Sequence, residues 1–421
     1  MRNAKTSDVI VVSYDSGGAF HCAAIYASDR IHALVGLEKR VTLVTSPASD
    51  LISTRNVKVI KVPSVSLKDF RFEFTTAVSN SQASLLLALF WPVALLFGSI
   101  FDLSFKVLAG AESDGRYSWS LLATPVLIAL KITNPIAVVY ATGGASSGPV
   151  SGVLASVFSK RKPVVEFQDP FIGQMMKLSP LASKVMLTLE RFIVRHSAKV
   201  INITVRATTD MKERNQLLSH RIQHIYPGSR AFEVTNSIPD KSRFKPKFIQ
   251  ILHMGTLYGS RNLNLFFEAL DALYVRRVDL RGAVLISNMG GVNLPELQGY
   301  LLRQDFEHLQ QLPRQDAVRR AALSDILLLV QHTDNRSAET IPYKTYDYLN
   351  LDKPVLALGT SVELRQMIEH SGGFFAENSG ADVVEKSLEK AIDMILSGGD
   401  IAPSKPKILL NEQISLALDF E

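Results

Sequence analysis

Acids, a lysine and a proline stand close together in the segment AETIPYKTYDYLNLDKPVLALG (338–359). Glu339 precedes Asp347 by eight positions, with Pro342, Lys344 and Tyr346 between them, and a Lys-Pro pair leads into an apolar run. Pro342 suits the first position of a helix, where its missing N–H costs nothing. The free N–H groups and positive dipole end of such a helix suit a phosphate, and Lys344 adds a cation in the first turn. Asp347 follows three residues later on the same side of the helix. A carboxylate there can accept hydrogen bonds from ribose hydroxyls. The same letters also describe an ordinary amphipathic helix with a Lys–Asp surface pair.

Three further sites carry chemistry. In ILHMGTLYGSRNLNLFFEAL (251–270) an apolar run ends at Gly255-Thr256, and Arg261 is expected to open a helix. The glycine permits close backbone approach, and the arginine could bind a diphosphate through two nitrogens. Gly17-Gly18 follow the first apolar run and could bring the backbone close to a substrate or a leaving phosphate, or simply make a tight turn. VVEFQDPF (164–171) ends in Asp169-Pro170, where Asp169 could orient an acceptor hydroxyl or act as its base, or close a turn.

The segment IPYKTYDYLNLDKPVLA resembles the donor-binding signature of glycosyltransferase family 4 (group 1), written E-x7-E. Its polysaccharide-assembly form is iPsK-x-x-EY followed by gkPvla. Asp347 stands where that family usually has glutamate, one methylene longer. The resemblance implies Glu339 near the donor sugar, Lys344 near the pyrophosphate and Asp347 near the ribose. The Gly255–Arg261 stretch resembles the element that begins the family's donor domain, and members commonly carry a glycine-rich loop at the position of Gly17-Gly18. The segment ending at Asp169 resembles strand ends that face the acceptor. Members often have a histidine after the fourth strand; here that loop, YATGGASSGP (140–149), has none, and His21 near the first glycine loop is the nearest substitute.

The elements needed to position these residues alternate along the chain. Short apolar runs at 8–15, 41–47, 57–63, 136–144, 163–170, 199–205 and 222–229 are separated by helical patterns. After a polar stretch at 231–247 the alternation restarts at 248–256, 282–288, 306–312, 325–332, 354–360 and 373–378. Fully apolar strands between helices predict parallel sheets covered on both faces. The expectation is an α/β chain of GT-B type, two Rossmann-like parallel-sheet domains facing across a cleft. An acceptor-side domain spans 1–230, a linker 231–247 and a donor domain 248–400, and a tail 401–421 returns toward the first domain. Ligands of such sheets bind beyond the carboxyl ends of the strands.

Composition narrows the function. With 421 residues, 47% of them hydrophobic, the chain can bury two cores, and a single cysteine excludes a disulfide framework. The net charge of +6 favours polyanions, yet no nucleic-acid module is recognisable. A secretory signal is not evident, so the cytoplasm is expected. The region 74–132 carries an apolar stretch, LLLALFWPVALLFGSIF (85–101), which predicts either a buried helix pair or a dip into one membrane leaflet with peripheral contact at the inner face. No D-x-D motif is present, so no metal and no other cofactor is expected, with Arg261 and Lys344 neutralising the leaving diphosphate. The expected partners are a nucleotide-sugar donor and a saccharide or lipid-linked acceptor, with no nucleic acid. A nucleotide-sugar epimerase on the same fold and a non-catalytic scaffold are the competing readings. A nicotinamide dehydrogenase fits poorly, because the glycines of 143–148 have the wrong spacing.

Overall fold

Parallel strands dominate the computed structural model, which describes residues 8–18, 22–79, 116–157, 159–174, 176–230, 248–398 and 407–419, with isolated positions between 89 and 104. The chain divides into two units. One comprises Met1–Tyr226 and Leu410–Glu421, the other Pro227–Leu409. The expected linker at 231–247, His21 and most of 85–101 lie outside the described residues.

The first unit is built on seven parallel strands: β1 (Asp8–Val12), β2 (Arg40–Thr45), β3 (Val57–Lys61), β4 (Val138–Gly143), β5 (Val164–Phe167), β6 (Lys199–Asn202) and β7 (Ile222–His224). Their order is β3-β2-β1-β4-β5-β6-β7. Every residue of β4, β5 and β6 is buried, which is why these runs show no alternation in sequence. Two apolar clusters cover the two faces. One gathers Val12, Trp119, Leu127, Val139 and Phe167. The other joins Val11, Ile31, Leu34 and Tyr140 to Leu410 and Ile414 of the helix Leu410–Leu418. That helix packs on Cys22–Gly36, and Lys199 Nζ ties it down by donating to the Leu416 carbonyl at 2.6 Å.

Two polar networks sit inside this unit. Glu166 on β5 pairs with Arg30 at 2.9 Å, both almost fully buried. The same carboxylate accepts from Tyr26, Tyr140 and Thr142 at 2.7 to 2.9 Å. An ion pair so enclosed survives because its remaining lone pairs are all used. Glu73 is also buried and accepts from Tyr14 Oη at 2.9 Å and from the backbone N–H of Ser64 at 2.9 Å. Burial pushes its carboxyl up to about 8, so it is protonated at neutrality.

The second unit has six parallel strands: β8 (Ile249–Met254), β10 (Val284–Met289), β12 (Phe306–Leu309), β13 (Ile326–Val330), β14 (Val355–Gly359) and β15 (Phe374–Glu377). Their order is β12-β10-β8-β13-β14-β15. Ile251, Phe266, Leu270, Ile286, Leu328 and Leu388 form its core. A separate pair of two-residue parallel strands, β9 (Leu257–Tyr258) and β11 (Val292–Asn293), lies beyond the ends of β8 and β10. The sequence gives no sign of this pair, because two residues are too few to show a period.

Candidate functional site

In the second sheet the chain leaves β8 for β10 on one side, and β13 occupies the other. The loops after β8 and β13 therefore diverge, which opens a crevice at the carboxyl ends of these strands. His253, the penultimate residue of β8, is in register with Asn288 on β10 and Leu328 on β13. Its side chain tops the core and is completely buried.

Three hydrogen bonds fix the roles of its nitrogens. Asn288 Nδ2 donates to the Gly290 carbonyl at 3.2 Å, which turns Oδ1 toward His253. His253 Nδ1 lies 2.6 Å from that Oδ1 and so carries the proton. Nε2 is left as an acceptor, and Lys344 Nζ approaches it at 2.5 Å. Burial, with Lys344 second, holds the imidazole well below its ordinary range and keeps it neutral.

Backbone glycines make the floor. Gly255 has φ 120° and Gly290 φ 146°. A Cβ at Gly290 would lie 2.5 Å from the Gly255 carbonyl carbon, and one at Gly255 would lie 3.5 Å from Lys344 Nζ. A side chain at either position would distort this floor or crowd the ammonium. Thr256 follows, half-buried, with Gly291 against it.

Lys344 opens the helix Lys344–Asn350. Burial and then the Arg261 guanidinium push its amine well below the usual lysine range. No carboxylate pairs with it among the described residues. Arg261 does not open a helix: the next helix begins at Asn264. Arg261 instead exchanges backbone hydrogen bonds with Tyr258 at 3.0 Å, and its guanidinium sits 5.3 Å from that ring. The intervening β9 accounts for the difference. Pro342 likewise lies ahead of its helix rather than in the first helical position.

His332, just past β13, stands beside this group. Its ring meets Tyr258 edge-on at 4.9 Å, and its Nδ1 is 3.1 Å from Ser260 Oγ. Burial, Arg261 and Arg336 push it down to about 4. Its Nε2 is buried and meets no hydrogen-bond partner among the described residues. Arg336 is paired with Asp334 at 2.6 Å, which holds that carboxyl below its usual range.

Of the residues predicted from sequence, Gly255, Thr256, Arg261 and Lys344 therefore come together, with His253, Asn288 and His332 as unforeseen members. Glu339 is buried at the end of the single turn Arg336–Glu339, and the Ser337 carbonyl within that turn and the Thr340 carbonyl just after it accept from Gln331 Nε2 at 2.9 and 3.0 Å. Asp347 is held by other groups. Its carboxylate is buried and engaged by Arg314, with Nη2–Oδ1 at 2.5 Å and Nε–Oδ2 at 3.1 Å. Ser229 Oγ donates to the same Oδ1.

The remaining candidates belong to the first unit. Gly17 and Gly18 both adopt left-handed φ, 74° and 75°. Their N–H groups donate to Ser28 Oγ at 3.0 Å and Asp50 Oδ1 at 2.7 Å. These donors serve the loop itself. Asp169 is exposed on the loop after β5.

Chemically, the second-unit crevice offers a guanidinium, a lysine amine, two neutral imidazoles and a backbone floor with little steric bulk. Such an arrangement suits an anion, for which each charge-assisted hydrogen bond would contribute about 1.5–3 kcal/mol.

No family model and no curated protein matches the sequence. Solved structures do match it over nearly its whole length. Anabaena Alr3699/HepE, solved with UDP and glucose, is 15% identical, with 97% of this chain and 98% of that chain covered and a TM-score of 0.60. A glycosyltransferase from Rickettsia africae ESF-5 is 12% identical over 99% and 97% of the two chains, with a TM-score of 0.60. WaaG, a glycosyltransferase involved in lipopolysaccharide biosynthesis, is 14% identical over 98% and 100%, with a TM-score of 0.57. At these identities the likeness is one of fold, and the fold of this chain is GT-B.

Proposed function

We propose that this chain is a glycosyltransferase that moves a sugar from a nucleotide-sugar donor to a hydroxyl of a saccharide or lipid-linked acceptor. One observation carries the reading: Lys344 and Arg261 converge over the Gly255–Gly290 floor at the β8/β13 crevice, and no acid pairs with Lys344 among the described residues. A guanidinium and a lysine amine at such a switch point suit the diphosphate of a donor.

In transfer, negative charge builds on the leaving diphosphate as the bond to the anomeric carbon breaks. Preorganised cations stabilise that charge without the reorganisation that water would need. Lys344 and Arg261 thus do the work that a metal does in other transferases. Glu339 lies toward the donor sugar, and Asp169 orients the acceptor hydroxyl. The leaving phosphate can accept the hydroxyl's proton, so transfer proceeds with retention and no strong protein base. A hexose donor is the first choice, and UDP the first nucleotide, given the UDP and glucose held by the Anabaena protein.

The first unit also carries a membrane-surface role in this reading, consistent with assembly of a surface polysaccharide at the cytoplasmic face. Leu96, Ile100 and Leu103 recur at helical spacing and are each about two-thirds exposed (67%, 67% and 66%). Gly98, on the other side, packs against the start of the helix Leu67–Ser79, where its Cβ would meet Leu67 N at 2.5 Å. No helix among the described residues is long and apolar enough to cross a membrane. In this reading the exposed apolar side chains contact the membrane interface in the manner of a monotopic anchor.

The test is a transfer assay with UDP-, GDP- and dTDP-sugars against saccharide and lipid-linked acceptors. Sugar transfer from one of them supports the reading. Isomerisation of the donor sugar without transfer would assign the chain to the epimerase chemistry instead.

A further inference from the structure

Lys344 and Arg261 share the crevice with two imidazoles, and the contact between Lys344 and His253 bears on protons. Lys344 Nζ has His253 Nε2 as its hydrogen-bond partner at 2.5 Å, and a neutral imidazole brings no charge to hold a proton on the amine. Asn288 fixes that tautomer from the far side. Arg261 faces both groups, and His332 is close enough to feel Lys344 and Arg261. The neighbouring acids are committed: Asp334 to Arg336, and Asp347, on the helix of Lys344, to Arg314 and Ser229. Tyr348, on the same helix, accepts from the Met254 N–H at 2.8 Å. Burial and the Arg261 charge disfavour the ammonium.

We propose that Lys344 is in part a neutral amine until a nucleoside diphosphate arrives, and that binding takes one proton from solvent onto Lys344 Nζ while His253 Nε2 holds the resulting ammonium toward the ligand. His253 is thereby a positioning residue. The inference rests on the diphosphate reading above and adds a proton to it. It predicts that affinity for the diphosphate falls as the pH rises, and that His253 sets how steeply.

Isothermal calorimetry tests this with UDP, GDP, dTDP and inorganic pyrophosphate, at pH 7.5 and 8.5, each in two buffers of different ionisation heat. Lys344→Arg, whose guanidinium does not deprotonate, reports the ligand's own ionisation; Lys344→Met is the second reference. The expected result is net proton uptake by the wild type, up to one per site, larger at pH 8.5 and absent from both references. His253→Leu, which cannot accept the hydrogen bond, is expected to bind UDP about tenfold more weakly and with an altered pH dependence. Binding with the same proton count in wild type and Lys344→Arg overturns the coupling and leaves the anion site standing. Failure of UDP, GDP, dTDP and pyrophosphate all to bind overturns the diphosphate site and the coupling together.

Discussion

Arg314 grips Asp347 with two nitrogens, Nη2 on Oδ1 at 2.5 Å and Nε on Oδ2 at 3.1 Å, and both side chains are largely buried. Ser229 and Asn350 extend the contact. Ser229 shares Oδ1, and Asn350 Nδ2 donates to the Ser229 carbonyl at 3.4 Å. The segment through Ser229 is further fixed by its N–H, which donates to the Ile408 carbonyl at 3.0 Å. Asp347 thus ties the helix Lys344–Asn350 to the strand-like segments at 229 and 409.

Asp347→Ala should therefore act first on stability. It removes the charged partner of the largely buried Arg314, a loss of up to about 3–5 kcal/mol, and urea denaturation would show the midpoint falling accordingly. Asp347→Asn should cost less, since the amide keeps an acceptor. An unchanged midpoint combined with lost UDP binding would mean instead that the carboxylate serves the nucleotide ribose.

Lys344→Ala should leave the fold intact and cut turnover. The side chain is only partly buried and its partner is neutral, so no charge is stranded. Loss of one preorganised group aimed at developing charge lowers kcat by about 10²–10³-fold. Melting temperature and steady-state transfer measured on the same sample separate the two effects.

Two buried groups should give the stability curve opposite slopes. Glu73 rises from 4.5 to about 8 in the fold, so the native state keeps a proton that the unfolded chain has lost. Its contribution is full below about pH 4.5 and is lost as pH rises through 8, on the order of 5 kcal/mol. Glu73→Gln should remove that alkaline slope. His332 falls from 6.5 to about 4, so its contribution is present above pH 6.5 and is lost as pH falls through 4. His332→Gln should flatten the acid limb. Denaturation series from pH 4 to pH 9 on the wild type and both variants read out each slope.

Replacing Leu96, Ile100 and Leu103 together with serine should release the protein from anionic phospholipid vesicles in a flotation assay without shifting its melting temperature, because all three side chains face solvent. Equal flotation of variant and wild type would place the contact elsewhere.

The strands of both sheets were legible because fully buried parallel strands write themselves as unbroken apolar runs, as in DVIVV or ILLLV. Lys344 and Gly255 were legible for a related reason: a glycine after such a run and a cation at a helix start are local features. His253 was hidden by the same rule that revealed its strand. Inside ILHMG a histidine reads as core, and its value depends on register with Asn288, 35 residues away. A fully apolar strand interrupted by one histidine just before a glycine was the available signal. Arg314 was hidden too, since nothing near position 314 announces a partner 33 residues on. Sequence alone puts Arg261 at a helix start, three residues before the helix begins, because β9 and β11 exist only through their mutual pairing.

The central claim is that Lys344 and Arg261 form a nucleoside-diphosphate site on the second unit. The direct measurement is thermal unfolding of the wild type, Lys344→Ala and Arg261→Ala with UDP, GDP and dTDP. The account predicts that one of the three stabilises the wild type, by about 2.7 kcal/mol at a hundredfold excess over Kd, and that either substitution removes most of the effect. A wild-type protein that none of the three stabilises, or variants stabilised as fully as the wild type, would contradict it.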